Sequence, residues 1–121
     1  MTSDWPNKVR ETDSYPVSIF IGGRASDIED QCRTYCDEIG LCVTCTPTTF
    51  VYTDGETEGY IVGLINYPRF PSDPETIWNH AQALAERLRV EACQDSYTIQ
   101  APDKTVWFSH RAEDAATPTT A

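Results

Sequence analysis

The sequence predicts an α+β domain in two layers, with two helices on one face of a mostly antiparallel sheet. Three observations carry that expectation. Strand-like and helix-like stretches follow one another as β-α-β-β-α-β-β, which contains the β-α-β-β-α-β split unit of ferredoxin-like folds plus one extra strand. Two stretches place apolar residues at helical spacing, each behind a capping signal. The length, 121 residues, is that of a single domain.

Val17 to Ile21 is a short, β-rich apolar run and reads as a buried strand, ended by Gly22-Gly23. Ser26 with Glu29 three residues on forms a capping box. Ile28, Cys32, Tyr35, Cys36 and Ile39 then share one helical face, and Gly40 suits the position after the last turn. Leu41, Val43 and Cys45 alternate with polar neighbours as a second strand that runs on through Phe50, Val51 and Tyr52. Pro47 within it predicts a sheet edge or a bulge. Asp54-Gly55 marks a hairpin, with a loop reaching as far as Gly59. Tyr60 to Ile65 is apolar on both faces and is placed centrally.

Ser72 and Glu75 form a second capping box, with Pro74 in the first turn. Ile77, Ala81, Leu84, Ala85 and Leu88 continue that helix to Ala92. Tyr97 to Ala101 and Val106 to His110 are the last strands, joined by a turn at Pro102-Asp103-Lys104. Residues 1–14 read as a polar arm, 15–111 as the domain and 112–121 as a flexible, low-complexity tail. Trp107, Phe50, Tyr52 and Tyr60 are expected on the sheet face that lacks helices, which predicts a homo-oligomer, a dimer or larger.

Nineteen acidic residues face nine basic ones, for a net charge of −10. That excludes a general binder of long nucleic acid, which needs a basic face, and docking on an anionic membrane. No run approaches the roughly 20 apolar residues of a membrane span. Met1 to Arg10 has no apolar leader core. The expected location is the cytoplasm.

Two loops repeat one design. Gly22-Gly23-Arg24 follows the first strand and enters the first helix, while Asn66-Tyr67-Pro68-Arg69-Phe70 follows the third strand and enters the second. With strands one and three taken as parallel neighbours, both loops would meet at one end of the sheet, beside two helix N-termini that favour anions. Gly22 and Gly23 would let backbone approach a ligand. Arg24 and Arg69 would grip phosphate, Tyr67 and Phe70 would flank a base, and Asn66 would read a base edge or ribose hydroxyl. Arg111 is a further cation near a sheet end. The plainer alternatives are a simple Gly-Gly turn, Arg69 paired with Asp73 or Glu75, and Tyr67 and Phe70 capping the core.

Cys32 and Cys36 lie on the buried helical stripe, and Cys42-Val-Thr-Cys45 lies in a strand pattern that sends residues three apart to opposite faces. They read as core residues rather than metal ligands. His80 and His110 are the only histidines and fall in no nucleophile signature. These patterns predict no catalytic residues, no metal and no cofactor.

Gly40-Leu-Cys-Val-Thr, the run Val62 to Pro71 with its Asn-Tyr-Pro-Arg-Phe segment, and the closing Trp107-Phe108-Ser109 resemble small phage-encoded proteins. In length and element order the chain is similar to phage Thoeris anti-defence sponge proteins. That resemblance implies a phage immune-evasion protein, not an enzyme, that sequesters a cyclic ADP-ribose isomer or a cyclic oligonucleotide uncleaved. Two other classes stand beside it. One is an acidic inhibitor of a host defence complex, of anti-CRISPR or nucleic-acid-mimic type. It draws on the 14 acidic and 7 basic residues within 15–111. The other is an enzyme acting on nucleotides, or a phage structural accessory protein.

Overall fold

The structure is a computed structural model, and it describes residues 4–115. The outermost parts of the expected arm and tail, 1–3 and 116–121, lie outside the described residues. The elements are β1 (Val17–Gly22), α1 (Ala25–Ile39), β2 (Thr44–Tyr52), β3 (Gly55–Leu64), α2 (Pro74–Glu91), β4 (Ser96–Gln100), β5 (Thr105–Ser109) and a short α3 (Ala112–Ala115). The strands form one open sheet in the order β2-β3-β1-β4-β5, every pair antiparallel. The α+β class and the element order up to β5 agree with the sequence pattern.

One expectation about the sheet is corrected. β1 and β3 are neighbours but antiparallel, with Val17 opposite Leu64 and Gly22 opposite Gly59. The chain dictates this. The α1 crossing returns β2 in the direction of β1, and the tight hairpin then reverses β3. The loop after β1 and the loop after β3 therefore leave from opposite ends of the sheet. About 17 Å of strand separates them, at roughly 3.3 Å per residue.

The core lies between the sheet and the two long helices. Val17, Ile19 and Ile21 alternate onto this face beside Val62, Leu64 and Ile99, and all are buried. Ile28 and Cys32 of α1 and Ile77, Ala81, Leu84, Ala85 and Leu88 of α2 close over them. Burial of each large apolar side chain contributes roughly 1.5–3 kcal/mol. Across the other face a row runs Thr46, Ile61, Phe20, Thr98, Trp107, with Trp107 53 % exposed. Phe50 and Tyr52 share that face. Tyr60 does not: its place in the register turns it to the helix side, where it is buried.

Both capping boxes give way to other caps. Arg24 is the N-cap of α1 and makes no side-chain cap bond. Glu29 is instead drawn away to Tyr60. For α2 the cap moves one residue, to Asp73, whose carboxylate accepts the Thr76 N–H at 2.7 Å with Pro74 in the first turn. Gly40 ends α1 in the left-handed conformation, φ 77°, as expected. Pro47 lies on edge strand β2, where its missing N–H costs no ladder bond. The hairpin turns at Thr53-Asp54, so β3 begins at Gly55. Its outer half, past the Thr48–Gly59 pair, overhangs the end of β1. No described helix is long and apolar enough to cross a membrane.

Candidate functional site

The eight residues singled out by sequence fall into two groups. Gly22, Gly23, Arg24 and Arg111 lie toward one end of the sheet, and Asn66, Tyr67, Arg69 and Phe70 lie at the other. They do not form one site, because β1 and β3 are antiparallel.

The first group makes a poor anion cradle. Gly23 has φ +145°, and its N–H donates to the Glu58 carbonyl at 3.2 Å. A Cβ there would press on Ile28 and Ala92 at about 3 Å, so this glycine serves the close approach of helix to sheet. Arg24 pairs with Asp27 at 3.4 Å, and the hollow beside it also carries Glu58 and Glu91. One guanidinium among three carboxylates does not attract phosphate. Arg111 lies 3.9 Å from Asp95 and over the Trp107 ring.

In the second group Asn66 is fully engaged. Its amide donates to the Asp13 carbonyl at 2.9 Å and to Thr12 at 3.2 Å, and its oxygen accepts the Ser72 N–H at 2.9 Å. It clamps the N-terminal arm to the loop before α2 and has no spare group for a ligand. Tyr67 and Phe70 sit with ring centres 6.3 Å apart, and Phe70 is well exposed. Arg69 pairs with neither Asp73 nor Glu75; its guanidinium lies 5.9 Å from the Phe70 ring centre.

Tyr67 and Phe70 open onto a groove between the end of α1, the approach to β2 and the start of α2. One part, about 170 Å³, is lined by Ile39, Leu41, Cys42, Tyr67, Phe70 and His80 among others. The adjoining part, about 360 Å³, shares Leu41 and Cys42 and adds Glu29, Cys32, Arg33, Cys36, Val43 and Cys45. The groove is thus rich in sulfur and aliphatic carbon, with Glu29 and Arg33 as its charged members.

Glu29 is held in place. The Tyr60 hydroxyl donates to its carboxylate at 2.5 Å, and Arg33 lies 3.8 Å away. That hydrogen bond, with burial and the carboxylate's charge behind it, pushes the Tyr60 hydroxyl up to about 12. Tyr67 is likewise pushed up to about 12, first by a hydrogen bond with Cys42 and then by burial. The Cys32 and Cys45 thiols interact between α1 and β2: that interaction, with burial, raises Cys32, and it holds Cys45 below the ordinary thiol value. At the groove floor the Tyr35 hydroxyl is 3.5 Å from His80 Nδ1. All five cysteines are free thiols, and among the described residues no cluster of three or more His, Cys, Asp or Glu is set to hold a metal.

Sequence reasoning missed Glu29 and Tyr60. The capping-box pattern hides the role of Glu29, which bonds Tyr60 instead, and Tyr60 lies on the helix side of the sheet rather than the open face. Counting the period of two back from Val62 and Leu64 puts Tyr60 on the core side, above the first turns of α1. That signal was available.

The comparisons with known proteins come from structure. No protein-family model and no curated protein matches the chain by sequence. Among solved structures, a phage SAM lyase in its apo state superposes with a TM-score of 0.64 at 18 % identity, covering 78 % of this chain and 88 % of that one. A phage SAM lyase in complex with S-methyl-5′-thioadenosine superposes with a TM-score of 0.59 at 14 % identity, covering 87 % and 96 %. At these identities the likeness establishes a shared fold. The neighbours are phage proteins, as the resemblance implied, but lyases rather than sponges of cyclic ADP-ribose isomers. The expectation that the chain is not an enzyme is overturned by the same finding, since these two structures of its fold are named as enzymes.

Proposed function

We propose that the chain binds S-adenosylmethionine in the groove between α1, β2 and the 66–70 loop and splits it to S-methyl-5′-thioadenosine. The observation that carries this reading is the fold shared, over most of both chains, with phage SAM lyases, one of them holding that thioadenosine. The groove's chemistry suits it. The product has no phosphate, so the lack of an arginine-rich cradle is no obstacle. Tyr67 and Phe70 offer flat surfaces for adenine at the groove mouth. Glu29 places a carboxylate where a cationic sulfonium or ammonium group is favoured. The acidic surplus that excludes long polyanions would draw in a cation.

Formation of S-methyl-5′-thioadenosine breaks the bond between sulfur and the methionine γ-carbon. The bonding pair goes to sulfur, which becomes a neutral thioether. The substrate's own carboxylate oxygen takes the vacated position on carbon and closes a lactone. Atoms and electrons balance with no added base, oxidant or metal. Opposite charges cancel in this step, so the thiols and aliphatic carbon that line much of the groove favour it. On this account Glu29 orients the substrate's cationic side, Tyr60 fixes Glu29, and the aromatic pair seats the base.

The test is incubation of the purified protein with S-adenosylmethionine, followed by chromatography of the adenosine-containing products. S-methyl-5′-thioadenosine and a four-carbon lactone are expected. Glu29→Gln is expected to lower kcat/KM at least about tenfold with the fold retained. Intact substrate with no stabilisation of the protein overturns the reading.

The homo-oligomer and the cytoplasmic location remain part of the proposal. The Phe20, Ile61 and Trp107 row favours a second copy over the open face. A solution mass that is a multiple of 13.6 kDa is expected from light scattering, and a monomer at all concentrations contradicts it.

A further inference from the structure

Of the nine basic side chains, five meet a carboxylate: Arg24, Arg33, Arg87, Arg89 and Arg111. Lys104 sits 4.1 Å over the Trp78 ring. The other three, Lys8, Arg10 and Arg69, make no ion pair among the described residues. All three line one hollow of about 520 Å³, completed by Pro68. Two of them come from the N-terminal arm and the third from the loop before α2. The Arg10 guanidinium donates to the Arg69 carbonyl at 3.3 Å, which ties together segments 59 residues apart. The Asn66 bonds to Thr12 and Asp13 hold the arm against the same loop.

In a molecule of net charge −10, carboxylates outnumber cations two to one. Three cations collected without a counter-charge repel one another, and an anion between them would relieve that repulsion. Two guanidinium forks and an ammonium offer several oxyanion donors at once, more than a single carboxylate can use. Glu11 and Asp13 follow in the arm and the chain as a whole carries −10, so the positive field is local. That excludes a long polyanion and favours a compact one.

We propose that Lys8, Arg10 and Arg69 form a binding site for a compact polyphosphate anion, of the pyrophosphate or nucleoside triphosphate class. The site is separate from the sulfonium groove, since neither S-adenosylmethionine nor its thioadenosine product carries phosphate.

Titration calorimetry at low salt with pyrophosphate, ATP and adenosine tests it. Pyrophosphate and ATP are expected to bind and adenosine not to. Equal affinity for the first two assigns recognition to the phosphates alone, and tighter ATP adds a contact to its nucleoside part. Arg10→Gln/Arg69→Gln is expected to weaken pyrophosphate at least about tenfold. Arg24→Gln, at the far end of the sheet, leaves it unchanged. Lys8→Gln, on the exposed arm, gives a second variant should the double one lose its native circular dichroism. Three results overturn the proposal: no heat with millimolar pyrophosphate, binding undiminished in these variants, or a short DNA duplex held more tightly than pyrophosphate through the same residues. All are independent of whether S-adenosylmethionine is cleaved.

Discussion

At the scale of single residues, two carboxylates show how partners decide a side chain's role. Glu29 accepts from Tyr60 and faces the groove. Tyr60→Phe removes the donor that aims it and is expected to raise KM for S-adenosylmethionine about tenfold, with less effect on kcat and no change in circular dichroism. An unchanged KM would remove Tyr60 from the binding account. Glu86 is a structural counterpart. It accepts from the Tyr97 hydroxyl at 2.5 Å, from His110 Nε2 at 2.8 Å and from Arg89 at 3.2 Å, tying α2 to the last two strands. Burial pushes its carboxyl up, but these three donors outweigh burial and hold it below the ordinary 4.5. Such a group stabilises the fold fully above the unfolded value and loses that contribution as pH falls through the lower folded one. Urea midpoints should therefore drop on acidification below about 4.5. Glu86→Gln should be less stable at pH 7 by about 1–2 kcal/mol and show a shallower acid slope. A parallel slope would place the acid sensitivity elsewhere.

At the scale of elements, the helices and strands were legible because each carries its own period. The β1 alternation, the α2 stripe and the Gly40 stop all appear in the structure. Relations between elements were less legible. The direction of β3 relative to β1 follows from connectivity, and taking the two as parallel brought loops together that lie at opposite ends of the sheet. The capping boxes failed because Asp73 competes for the second helix and Tyr60 for Glu29, and the latter partner lies 31 residues away. The overhang of the β2–β3 hairpin also depends on packing that local pattern does not encode. At Gly59, where the overhang begins, a Cβ would collide with the Phe50 ring and lie 2.5 Å from the Ile21 carbonyl. The carbonyl is fixed by the sheet and cannot move aside. Gly59→Ala is expected to cost about 1–3 kcal/mol, read as a lower unfolding midpoint, and unchanged stability would mean that the hairpin bends there freely.

At the scale of the whole molecule, net charge and fold point the same way. A charge of −10 excludes long polyanions and attracts cations. The fold is one on which phage SAM lyases are built. The groove combines a positioned carboxylate, aromatic rings and a lining of sulfur and aliphatic carbon, and the unpaired cations gather in a separate hollow. The most direct measurement of the central claim is the fate of S-adenosylmethionine mixed with the purified protein, followed with time. The account predicts S-methyl-5′-thioadenosine and a lactone appearing in equal amounts, at a rate cut at least about tenfold by Glu29→Gln. Substrate recovered intact, with no change in the protein's thermal stability, would contradict it.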